Sequence, residues 1–106
     1  MEELTDRGSY SKAVLMSEGI VLLEGTGKTC PNCRAMEPVV EQLIKKYPDT
    51  KFYKYDVDDA HDIAHELGAT VMPIFHVFKE GDPEGSVSGA HPDALKKLLA
   101  EVHGES

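Results

Sequence analysis

The only two cysteines of the 106-residue chain, Cys30 and Cys33, stand two residues apart in the stretch Lys28 to Pro38, KTCPNCRAMEP. A pair at this spacing can close a reversible disulfide, supply half of a metal site, or fill a core as two small hydrophobes. Disulfide exchange needs one thiolate to attack a foreign disulfide and a second thiol within reach to resolve the mixed product. A structural zinc site wants four ligands, commonly two such pairs or one pair with two histidines. No third cysteine exists, and His61 and His65 would have to approach from a different predicted helix. Redox chemistry is the preferred reading, with a metal site or a purely structural role as its rivals.

The neighbours of the pair support that choice. Pro31 suits the first position of a helix, where its missing N–H is no loss. Cys30 then sits against the orphan N–H groups and positive dipole end of that helix, a setting that favours the thiolate and lowers a thiol pKa below its usual ~8.5. Cys33, one turn inward, is expected to be the better shielded of the two. Glu24, a carboxylate closing the apolar run IVLLE, either reaches solvent at a strand end or is buried for a reason. His61 and His65, spaced i and i+4, lack the glutamate of a zinc-protease motif and read as a solvated helix face. His76, inside the strand-like IFHVF, reads as a satisfied core histidine. Met36 and Met72 either rim the cysteines as an apolar docking surface or fill gaps in the core.

Positioning these groups takes an alternating set of elements. Residues 1–8 offer at most a very short strand. Ser9 is expected to cap a first helix stopped by Gly19, and Ile20–Glu24 is a strand covered on both faces. Apolar residues Met36, Val39, Val40, Leu43, Ile44 and Tyr47 mark one face of a long helix from about Pro31 to Tyr47, interrupted by Pro38. Lys51–Val57 is a second strand, and Asp58 or Asp59 should cap a helix that buries Ala60, Ile63, Ala64 and Leu67 and ends at Gly68. Pro73–Phe78 is a third strand, which KEGD turns into Ser86–Gly89. A last helix from near Pro92 buries Leu95, Leu98, Leu99 and Val102. This order predicts an α/β fold whose central sheet carries helices on both faces.

Composition bounds the function. The net charge of −8 argues against a nucleic-acid partner and fits a solvated surface. No run approaches the ~20 apolar residues of a membrane span, and the acidic, polar start does not read as a signal peptide. A cytoplasmic location is the default expectation, where a close cysteine pair is catalytic or metal-binding rather than structural.

From about Ser9 to Val102 the sequence resembles thioredoxins. That family places CxxC, most often CGPC, after the second strand at the start of a proline-kinked helix; CPNC and Pro38 match those positions. Glu24 stands where the family has a buried aspartate, Lys54 where it has the facing lysine, and Pro73 where it has a cis-proline; FKEGD and Gly89 also fit. The resemblance implies a thioredoxin fold, with a mixed sheet of four to five strands in a single domain over 1–106. It implies a protein-disulfide reductase in which Cys30 attacks, Cys33 resolves, Glu24 takes the Cys33 proton under the influence of Lys54, and Pro31 and Asn32 complete the motif. Met72, Pro73 and Gly89 would meet an extended client chain. Implied partners are a thioredoxin-reductase-type electron donor and disulfide-containing client proteins, with no nucleic acid, membrane, metal or other cofactor, and a monomer. The same cysteines would also serve an isomerase, an oxidase or a glutaredoxin-like protein. A pair from each of two subunits could instead hold an iron–sulfur cluster. The departures are Thr29 and Thr26, where thioredoxins usually carry tryptophans, and Asn32 for the usual proline. GTGKT thereby removes an apolar shelf for substrate and is expected to loosen the loop.

Overall fold

A computed structural model describes residues 1–105. Five strands form one mixed sheet: β1 (Glu2–Glu3), β2 (Ile20–Thr26), β3 (Lys51–Asp56), β4 (Ile74–Lys79) and β5 (Asp82–Ser88), in the order β1-β3-β2-β4-β5. β3 runs parallel to both β1 and β2, β4 is antiparallel to β2, and β5 is antiparallel to β4. Helix α1 (Arg7–Tyr10) runs into a π-helical turn, Ser11–Leu15; α2 covers Pro31–Lys46, α3 His61–Leu67 and α4 Pro92–Val102. The expected order of helices and strands is present throughout.

Side-chain alternation along the strands divides the core in two. Val21 and Leu23 of β2, Tyr55 of β3 and Phe78 of β4 pack against Tyr10, Val14 and Ile63 on the side of α1 and α3. Leu22, Phe75 and Val77 face the opposite way, against Met36, Val40 and Leu43 of α2 and Leu95 and Leu99 of α4. β2 is therefore buried on both faces, which is why it reads as an unbroken apolar run. Ile44 departs from its predicted face and stays exposed, on the rim of a cleft beside the α2 side of the sheet.

Three local expectations change. The cap of α1 is Asp6, whose carboxylate accepts the Ser9 N–H at 2.7 Å; Ser9 is the reciprocal member of a capping box, its hydroxyl accepting the Asp6 N–H. Ahead of α3, neither Asp58 nor Asp59 caps the helix, which begins after Ala60 without a side-chain cap. Instead Asp56 Oδ1 accepts the N–H groups of Asp58 and Asp59 and shapes the turn. β5 starts at Asp82 rather than Ser86, because the hairpin pairs from the turn outward through an irregularity near Val77 and Phe78.

Candidate active site

The site lies where β2 ends and α2 begins. Cys30 is the N-cap of α2 in extended conformation, Pro31 is the first helical residue, and the helix continues through Pro38. Lacking an N–H, Pro38 leaves the Arg34 carbonyl without its helical donor. Cys30 and Cys33 are joined as a disulfide. The Cys33 N–H is shared between the Cys30 carbonyl and Cys30 Sγ, each at 3.1 Å, so a donor of the helix start reaches that sulfur. Shielding does not separate the two cysteines, which are both buried to nearly the same degree. Their asymmetry lies in the backbone donor.

Two depressions flank Cys30. A cleft of about 540 Å³ on the α2 side is lined by Glu24, Cys30, Cys33, Glu37, Lys54 and Asp56, among others. Glu24 is 4% exposed, and burial pushes its carboxyl pKa up from 4.5 to about 7; Lys54 pulls it down and Glu37 pushes it up. Lys54 is the residue opposite Glu24 in the parallel β2–β3 ladder, yet among the described residues no ion pair joins them. Desolvation therefore outweighs the lysine, and Glu24 can hold or release a proton near neutrality.

On the other flank a hollow of about 290 Å³ is bounded by the loop Gly27–Thr29, by Cys30, Pro31 and Asn32, by Val57 and Asp58, and by half-buried Met72. The Met72–Pro73 bond is cis. The Pro73 carbonyl accepts the Gly89 N–H at 2.7 Å, and Gly89 has a φ of 88°, which favours glycine there. Met36 is fully buried in the α2-side core.

The chain matches the thioredoxin family model over residues 2–101. It belongs to the thioredoxin family. It is 46% identical over 100 residues to the mitochondrial Thioredoxin-3 of Saccharomyces cerevisiae, covering 94% of this chain and 78% of that one. It is 35% identical over 101 residues to Thioredoxin Asp f 29 of Aspergillus fumigatus, with 93% and 92% covered. The crystal structure of oxidised yeast mitochondrial Thioredoxin 3 superposes with a TM-score of 0.91 at 33% identity, covering 95% of this chain and 94% of that one. Family membership and the close cysteine pair make this chain a thiol–disulfide oxidoreductase that acts on disulfide-bearing proteins.

Around this thioredoxin site the remaining polar residues have other duties. His61 and His65 are exposed on α3, in keeping with a solvated face. Among the described residues no group of three or more His, Cys, Asp or Glu side chains could hold a metal ion. His76 is buried on the opposite face of the sheet, its Nε2 3.1 Å from the Tyr55 hydroxyl, and burial pushes its pKa down to about 4. Sequence reasoning missed Glu37 and the partners of Lys28. Glu37 follows Cys33 by one helical turn, a spacing visible in the sequence. Lys28 Nζ is 2.8 Å from Asp59 Oδ2 and 3.9 Å from Asp56 Oδ2, so the loop before Cys30 is anchored where a looser one was expected.

Proposed function

We propose that the protein reduces client disulfides, with Cys30 as the attacking thiolate and Cys33 as the resolving thiol. The observation that supports this division is the Cys33 N–H, which among the described residues reaches Cys30 Sγ and favours negative charge there once the disulfide is reduced. In the reduced protein, Cys30 Sγ attacks one client sulfur, the client S–S bond breaks, and a client thiolate leaves. Cys33 then gives its proton to the Glu24 carboxylate and attacks Cys30 Sγ, releasing the second client thiolate. Two electrons pass to the client, and the protein is left with the Cys30–Cys33 disulfide. Lys54 tunes the proton affinity of Glu24, while Pro31 and Asn32 set the spacing of the two sulfurs. Met72, Pro73 and Gly89 form the ledge along which an extended client backbone lies.

A thioredoxin-reductase-type donor restores the dithiol, and the unit that acts is a monomer of a single domain spanning 1–106. No helix of the described residues is long and apolar enough to cross a membrane. We place the protein in the cytoplasm on the reducing chemistry its couple requires; since the yeast relative is mitochondrial by name, fractionation of cells expressing it separates the two locations.

The test is insulin reduction with purified variants. Cys30→Ser abolishes turnover, and Cys33→Ser accumulates a mixed disulfide between Cys30 and insulin, visible by mass spectrometry. Full activity in both single variants, or a trapped adduct on Cys33 in the Cys30→Ser protein, refutes the assignment.

A further inference from the structure

The hollow beside Cys30 has two walls that are remote in sequence: the loop Gly27–Thr29, and Val57–Asp58 of the turn between β3 and α3, whose next residue, Asp59, lines the neighbouring cleft on the α2 side. At the strand end, the Thr26 carbonyl accepts the Val57 N–H at 2.9 Å. Beyond Thr26 no backbone hydrogen bond crosses between the walls among the described residues. What does cross is one side chain. Lys28 Nζ donates to both carboxylate oxygens of Asp59, at 2.9 and 2.8 Å, and stands 3.9 Å from Asp56 Oδ2. Asp56 is itself buried, and its other oxygen accepts the Asp58 and Asp59 N–H groups at 2.8 and 3.1 Å. One carboxylate thus shapes the turn that presents Asp59 and also attracts the lysine that grips it.

We infer that Lys28 is a positioning residue: its ion pair with Asp59, backed by Asp56, holds the Gly27–Thr29 loop against the β3–α3 turn and keeps the hollow beside Cys30 shaped for a protein disulfide. This rests on Cys30 being the attacking thiol. The chain has no tryptophan, and Thr26 and Thr29 flank the loop glycine and Lys28, so large apolar side chains are not available to fasten this wall by packing. An ion pair does so instead. Both partners are exposed, so salt screens the contact over a distance of about 8–10 Å at physiological ionic strength. Client binding then becomes sensitive to ionic strength through this pair.

The experiment measures KM and kcat for insulin with dithiothreitol as the electron source, comparing the full chain with Lys28→Gln, Asp59→Asn and the double Lys28→Gln/Asp59→Asn protein. At low salt each single variant raises KM about three- to five-fold, with most of the effect in KM rather than kcat. The double variant, which keeps the net charge, raises KM no further than the single ones, because either change already removes the pair. In about 0.5 M salt the ratio of single-variant to wild-type KM falls towards one. Three results overturn the inference: a double variant whose KM rises by the product of the single effects, a ratio indifferent to salt, or an effect of Lys28→Gln with none of Asp59→Asn, which makes Lys28 a direct client contact. Thermal midpoints of all four proteins identify any variant that has lost its fold, and the salt dependence of the remaining variants then decides between the outcomes. A wild-type chain that fails to reduce insulin refutes the broader function and this inference with it, whereas the three results above overturn the inference alone.

Discussion

Replacing Glu24 by glutamine keeps the shape of the side chain and removes its charge at every pH. The folded protein holds the Glu24 proton up to about pH 7, against an ordinary value of 4.5. Because the folded pKa lies above the unfolded one, the native state binds more protons than the unfolded chain between these values, and stability falls as pH rises through the window. At 1.36 kcal/mol for each decade of proton affinity, a displacement from 4.5 to about 7 amounts to roughly 3 kcal/mol, fully felt above pH 7. Glu24→Gln escapes this penalty. Its stability relative to wild type is therefore small near pH 4 and grows to about 3 kcal/mol by pH 8, which in a domain of this size moves the thermal midpoint by the order of 10–20 °C. The assay is urea unfolding of both oxidised proteins across pH 4–8, followed by far-ultraviolet circular dichroism because the chain has no tryptophan. The same variant reduces insulin more slowly at neutral pH, since it offers Cys33 no proton acceptor. A stability gap that is constant with pH refutes the placement of a buried, proton-holding carboxyl at this position. A gap with unchanged turnover and pH–rate profile removes Glu24 from the chemistry while keeping it as the strained group.

Two further substitutions probe the opposite face of the sheet. Gly25→Ala puts a Cβ 2.7 Å from the Tyr55 hydroxyl and 2.8 Å from Ile74 Cγ2, and is expected to lower stability by about 1–3 kcal/mol in urea unfolding. His76 has a folded pKa of about 4 against an ordinary 6.5, so the unfolded chain binds its proton first and stability drains as pH falls from 6.5 to 4. His76→Gln, which keeps an acceptor for the Tyr55 hydroxyl, flattens that part of the stability profile; an unaltered acid limb between pH 6.5 and 4 refutes the reasoning.

The element order and the place of the cysteines were legible because their signals are local. Gly68 in left-handed conformation at the end of α3, Pro31 opening α2 and the unbroken apolar run of IVLLE each act within a few residues of themselves. Caps escape a local rule that has several carboxylates or hydroxyls to choose from: Asp6 takes the role expected of Ser9, and α3, expected to be capped by Asp58 or Asp59, starts without a side-chain cap behind a turn that Asp56 shapes. β2 runs on to Thr26 because Gly25 leaves room for Tyr55, a neighbour 30 positions away.

By itself the sequence determined the helices and strands, the two apolar faces of the sheet and a CxxC pair at a strand–loop–helix junction, since periodicity and backbone preference are written in neighbouring residues. Only the tertiary structure decided that Glu24 is buried enough to carry a proton at neutrality, that His76 finds Tyr55, and that Lys28 reaches across to Asp59. Each of these depends on desolvation or on a charge far along the chain, and burial and distance exist only once the chain has folded.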